Sequence, residues 1–140
     1  KKLRWSPDII HCHGWFTSLV PLYIKKSYNE DPLFMNSKVI FSAYNDGFNE
    51  TLDDHFIRRV KYEGVDNKVV EHLKHPTFAN LARTAFKYSD GIIMGSPKLM
   101  PEIEGVIKEF KTPVLNFQSP EDYIDAYSVF YDTILTDSKQ

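Results

Sequence analysis

The chain has 140 residues, of which 42% are hydrophobic, 14% aromatic and 26% charged, enough for one domain with a buried core. Cys12 is its one cysteine, which excludes a disulfide framework or a multi-cysteine zinc site and fits a reducing compartment, the cytoplasm. With 17 basic and 19 acidic residues the net charge is −2, which leaves no global electrostatic footprint for nucleic acid, and no apolar run approaches a membrane span of roughly 20 residues.

In chain order, Lys1, Lys2 and Arg4 suit the last turn of a helix that Ser6 and Pro7 end. Residues 8–12 (Asp-Ile-Ile-His-Cys) read as a short buried strand, broken by Gly14. Trp15, Leu19, Leu22 and Tyr23 fall on one helical stripe, with Pro21 predicted to kink it. Residues 29–36 form a polar loop, and residues 38–44 (Lys-Val-Ile-Phe-Ser-Ala-Tyr) the second strand. Strand, helix and strand in this order imply parallel pairing. Residues 45–76 read as an insertion with one or two helices, a capping-box start at residues 51–54 and a short charged helix over residues 66–75.

Phe78, Leu81, Ala82, Ala85 and Phe86 place a helix over residues 77–88, followed by a third strand at residues 91–95. Ser96 and Pro97 predict a helix start, with the helix running to about Phe110. Residues 113–117 are the fourth strand. Ser119, Pro120 and Asp122 then open a last helix that carries Tyr123, Tyr127, Phe130, Tyr131 and Ile134 on one face and frays from Thr136. The expected fold is α/β: a Rossmann-like parallel sheet of about four strands with helices on both faces.

Ligands of such sheets sit at the carboxyl ends of the strands. No phosphate-cradling glycine loop is present, neither GxGxxG nor a Walker lysine loop, so no dinucleotide or nucleoside triphosphate cofactor is expected. In an extended strand His11 and His13 share one side, with Cys12 on the other. A packed, hydrogen-bonded histidine is the plainer reading of His11, whereas His13, next to the turn at Gly14, is open between packing and function. A metal site would need a third ligand that the spacing does not supply. Tyr44 and Asn45 either face the same cleft as His13 or belong to the turn that Asp46 and Gly47 form. Arg83 either snorkels or points to a cleft. Ser96 is read as a cap whose helix start can also bind an anion. Asp53, Asp54, His55, Arg58 and Arg59 read as a solvated charged face, and the aromatic stripe of the last helix as core packing.

Three segments together resemble a known family. Residues 7–15 (Pro-Asp-Ile-Ile-His-Cys-His-Gly-Trp), with Leu19 and residues 21–25, are similar to the PDVVHxHDW…P.YLK segment of bacterial glycogen and starch synthases. Residues 41–45 (Phe-Ser-Ala-Tyr-Asn) stand where that family has FTxHN. Residues 81–97 with Glu102 and Ile103 resemble its FLKxGLxYADxITTVSPTYAxEI. The resemblance implies a GT-B type first domain, of which residues 1–140 form the carboxyl-terminal part, and retaining, metal-free transfer of glucose from ADP-glucose to an α-1,4-glucan. It makes His13 the partner of the donor glucose and stabiliser of its developing positive charge, with Trp15, Tyr44, Asn45 and Arg83 as substrate-side residues. The family's Asp before Trp is Gly14 here, its His before Asn is Tyr44, and its Lys in the FLKxG helix is Arg83. Its amino-terminal Lys-Thr-Gly-Gly-Leu loop and second domain are not in this chain. The opening at Lys1 without Met and the short ending after Ser119 are therefore read as a single-domain piece entered half-way. Such a piece is expected to be inactive in isolation and to pair an exposed sheet edge with a second copy. The competing reading is a non-catalytic glucan-binding or regulatory domain. An independent small-molecule enzyme would need a nucleophile–base pair or metal triad that is not evident.

Overall fold

The computed structural model describes residues 5–53 and 55–136. Its centre is a four-stranded parallel sheet: β1 (Ile9–His13), β2 (Lys38–Ala43), β3 (Gly91–Met94) and β4 (Val114–Leu115), in that spatial order. The register pairs His11 with Ile40, His13 with Ser42, Phe41 with Ile92, and Ile93 with Leu115. Parallel strands need long crossovers. These are α1 (Val20–Lys26) between β1 and β2, α2 (Phe56–Val60) and α3 (Phe78–Lys87) between β2 and β3, and α4 (Pro101–Ile107) between β3 and β4. The helix α5 (Tyr123–Thr136) follows the last strand.

Alternation along the strands sends side chains to two cores. Cys12, Val39, Phe41, Ala43 and Ile92 pack with Ile24 of α1, Phe78, Ala82 and Phe86 of α3, and Ile103 of α4. Ile40 and Ile93 face the other way, onto Phe130 and Ile134 of α5. A third cluster, around Leu22, Val60, Val70, Leu73 and Leu81, ties the segment before α3 to the outside of α1 and α3. Fully buried side chains such as Phe86 and Leu22 each contribute about 1.5–3 kcal/mol by leaving water. The expected α/β sheet with helices on both faces is thus present, α5 alone among the described residues supplying the second face.

Several boundaries differ from the sequence expectation. β1 runs one residue further than residues 8–12 and includes His13. Trp15–Thr17 is a single 3-10 turn, and Pro21 does not kink a helix: it occupies the first turn of α1, where its missing N–H costs nothing. The capping box expected at residues 51–54 depends on Asp54, outside the described residues. Asp53 accepts from His55 N at 2.7 Å and α2 begins at Phe56, while only Glu71–Lys74 of the segment 66–75 is helical, as a 3-10 turn. Asp54 lies outside the described residues, as do the basic opening at Lys1, Lys2 and Arg4 and residues 137–140. Ser96 and Pro97 do not start a helix. α4 opens four residues later at Pro101, because the chain first turns across the strand ends, where Ser96 Oγ accepts from Asn45 N at 3.0 Å. Thr77 does cap α3, accepting from Asn80 N at 3.2 Å, and Ser119 exchanges hydrogen bonds with Asp122 ahead of α5.

Candidate functional site

The carboxyl ends of β1, β2 and β3 bring three residues of one sheet face into a row: His13, Tyr44 and Gly95. His13 is exposed, and its Nδ1 lies 2.9 Å from the Tyr44 hydroxyl. The Tyr44 ring lies across Gly95, where a Cβ would come within 2.5–2.8 Å of three ring carbons. Only a glycine admits the ring at that height, so Gly95 sets how closely Tyr44 approaches His13. A phenol that donates to Nδ1 of a neutral imidazole fixes the proton on Nε2. The ring edge carrying Nε2–H is then left for a ligand.

Beneath His13 the site is braced. The His11 and His13 rings stack with centroids 3.9 Å apart at 27°. His11 Nδ1 lies 2.6 Å from the Tyr131 hydroxyl, and His11 Nε2 lies 2.7 Å from Ser42 Oγ. Tyr127 reaches the Ser42 side chain from the same helix, and Tyr127 and Tyr131 both lie against the His11 ring. His11 is therefore the packed, hydrogen-bonded histidine that the sequence suggested. Burial, with His13 as a second cause, pushes its pKa down to about 4, and burial lowers that of His13. Both rings are neutral at pH 7, which also relieves the repulsion that two stacked cations would suffer. On the opposite side of β1, burial raises the Cys12 thiol to about 11, which keeps it an unreactive apolar filler.

The other candidates are placed differently. Gly14 has φ +73°, and a Cβ there would lie 2.6 Å from Asp46 Oδ2, the atom that accepts from Trp15 N at 3.3 Å. The space beside Gly14 thus belongs to a carboxylate carried by the next strand's loop. Trp15 meets Phe48 edge-on at 5.0 Å and, with Tyr44 and Asp46, lines a cavity of only about 10 Å³, so it supports the wall from behind. Asn45 is exposed at the strand ends and tied through its backbone to Ser96. Arg83 is held elsewhere: its guanidinium grips both oxygens of Glu109 at 2.8 Å and donates to Asn80 Oδ1 at 2.6 Å. None of these bonds reaches the His13–Tyr44 pair.

The starch synthase catalytic domain model matches residues 1–109. The chain belongs to that family. A glycogen synthase of Clostridium perfringens is 33% identical over 116 residues, which is 81% of this chain and 22% of that protein. One of Thermotoga petrophila is 28% identical over 106 residues, 74% of this chain and 21% of its own length. One of Desulfitobacterium hafniense reaches 50% identity over 42 residues, 30% of this chain and 9% of its own. The chain spans about a fifth of the relatives that match most of it. The starch synthase match ends before α5, so Tyr127 and Tyr131 brace the histidines from outside the matched residues. Sequence reasoning placed these tyrosines in the core. The signal it lacked is long-range, since Tyr131 and His11 are 120 positions apart. Ser42 was equally hidden, inside the apolar β2, whereas Gly95 follows β3 at a strand end, where ligands of such sheets sit.

Proposed function

We propose that this chain forms the carboxyl-terminal part of the acceptor-side domain of a retaining glucosyltransferase of the glycogen and starch synthase type, working in the cytoplasm. In the reaction the bond from the anomeric carbon of ADP-glucose to the phosphate oxygen breaks. A bond from that carbon to an acceptor glucan hydroxyl forms, and the hydroxyl proton is lost. His13 is the catalytic residue: its neutral ring offers Nε2–H to a hydroxyl of the donor glucose and places no positive charge beside a carbon that is becoming positive. Tyr44 and Asn45 bound the same cleft, and Trp15 backs its wall. The observation that carries this reading is the 2.9 Å contact of the Tyr44 hydroxyl with His13 Nδ1, which holds the ring by that edge at the strand ends. Catalysis by positioning needs a second wall, so the chain by itself is expected to be inactive. An open edge of the sheet is where a second copy would pair.

A second reading is a glucan-binding or regulatory domain without chemistry. The observation favouring it is that Arg83, a substrate-side candidate, is bound by Glu109. The experiment is ADP-glucose-dependent labelling of glycogen by the protein that carries this chain, wild type beside His13→Ala. Loss of at least about a hundredfold in rate with the variant supports the first reading. Unchanged turnover overturns the assignment of His13, and glycogen retention on an affinity gel without any transfer supports the second reading.

A further inference from the structure

A second group of aromatic side chains lies at the far end of α1 from His13. Tyr23 of α1, Tyr28 just after that helix, Tyr62 just after α2 and Arg59 of α2 line an open pocket of about 250 Å³. The Tyr28 and Tyr62 rings lie 6.4 Å apart at 26°, and Tyr23 meets Tyr62 edge-on at 6.4 Å and 87°. Tyr28 is 38% and Tyr62 56% exposed, so ring faces are presented to solvent. Tyr23 is fixed by donating its hydroxyl to Val60 O at 2.7 Å.

The platform is built into the backbone. Gly64, two residues after Tyr62, has φ +79°, and a Cβ there would run into the Lys26 carbonyl at the end of α1. Val65 N donates to Tyr62 O at 2.8 Å, which closes the turn. That turn docks on α1 only because residue 64 has no side chain, and the docking sets Tyr62 beside Tyr28.

The charges around the pocket choose its ligand. Arg59 is already paired with Asp53 at 3.3 Å. A hydrogen bond to Tyr62, then the Tyr62 charge and burial, and after these the carboxylates of Asp31 and Glu63, hold the Tyr28 hydroxyl above its ordinary range. A phosphate or nucleotide would meet two carboxylates and a cation that has a partner. A neutral ligand with flat C–H faces and hydroxyl edges meets aromatic faces that attract polarised C–H bonds, with phenol hydroxyls at the rim. A pyranose has both features. We propose that Tyr23, Tyr28 and Tyr62 form a second binding site, for a neutral glucan chain, apart from the strand-end cleft. The choice of a glucan rests on the proposed function, whereas the exclusion of anions does not.

The test is an NMR titration of the chain with maltoheptaose, following the ring signals of Tyr28, Tyr62 and His13, with AMP and inorganic phosphate as anionic probes. Maltoheptaose should shift Tyr28 and Tyr62. Tyr62→Ala, at an exposed position, should weaken that response by about tenfold or more, since one stacking face is lost. Gly64→Ala keeps every ring but displaces the turn, and should weaken it likewise, while His13→Ala should leave it unchanged. The proposal is overturned if Tyr28 and Tyr62 do not respond, if Tyr62→Ala binds as wild type does, or if AMP or phosphate binds there more tightly than maltoheptaose. Turnover unaffected by His13→Ala would overturn the cleft assignment alone, and unresponsive tyrosines would overturn this one alone.

Discussion

Gly95→Ala tests whether the Tyr44 ring is what holds His13. A Cβ at residue 95 would lie 2.5 Å from Tyr44 Cε1, 2.7 Å from Cζ and 2.8 Å from Cδ1. Carbon atoms rest in contact at about 3.5–4.0 Å, so the ring must retreat by about 1 Å. The Tyr44 hydroxyl now lies 2.9 Å from His13 Nδ1. A retreat of that size opens the gap to about 4 Å, beyond hydrogen bonding. The overpacking should cost about 1–3 kcal/mol of stability. It should also let the His13 ring take a proton more readily, since burial holds its pKa down and a retreating Tyr44 lets water reach it. The assay is the titration of the His13 ring by NMR in wild type, Gly95→Ala, Tyr44→Phe and the double variant. Each single variant should move the midpoint from its lowered position up toward 6.5, and the double variant should match Tyr44→Phe alone. A Gly95→Ala midpoint equal to wild type, or two shifts that simply add, would refute the argument that Gly95 acts through Tyr44.

Three further outcomes are expected. His11 titrates near 4 when folded and near 6.5 when unfolded, so between these values the unfolded chain binds more protons. The stability this contributes is complete above about pH 6.5 and lost as pH falls toward 4. The full linkage would be about 3 kcal/mol, and water access to the ring reduces it to about 1–2 kcal/mol. Urea unfolding at pH 7 and pH 4.5 should show that loss in wild type and much less of it in His11→Gln. Thr77→Ala removes the cap on Asn80 N and should destabilise by about 1 kcal/mol, read as a lower thermal midpoint, without moving the His13 titration. Arg83→Lys breaks the two-pronged grip on Glu109 but, at a partly exposed pair, should cost less than about 1 kcal/mol. A large change in transfer rate with that variant would return Arg83 to the cleft.

The four strands were legible because each is a short apolar, β-branched run between turn residues, and such runs are hard to mistake when crossover helices separate them. Helix starts were less so. A Ser-Pro pair reads alike whether it opens the turn that leads into a helix, as Ser119 does ahead of α5, or spans a turn across strand ends, as Ser96 does under Asn45. Local chemistry is the same in the two places, and only the path across the strand ends separates them. Pro21 misled for a related reason. Helical periodicity continued back through Trp15, but the backbone at Gly14 has φ +73°, and Trp15–Thr17 winds as a 3-10 turn rather than a helix. At the site, strand alternation left Tyr44 open between the side of His13 and the turn at Asp46 and Gly47, and the 2.9 Å contact puts it beside His13. The bracing by Tyr131 and Tyr127 was not legible, because an amphipathic helix shows which face it buries but not against which strand.

The bond between His11 and Tyr131 joins residues 120 apart, nearly the length of the described chain. A contact of that span closes a long loop, so its entropic cost falls before its reward, and it forms after the local units have settled. The sheet can align with its helices on one face while the second face, with Ile40 and Ile93, stays open to water until α5 docks. The orientation of His11, and through it the stack with His13, is therefore set only when α5 docks. During synthesis β1 emerges well before α5, so its histidines wait for that helix to arrive.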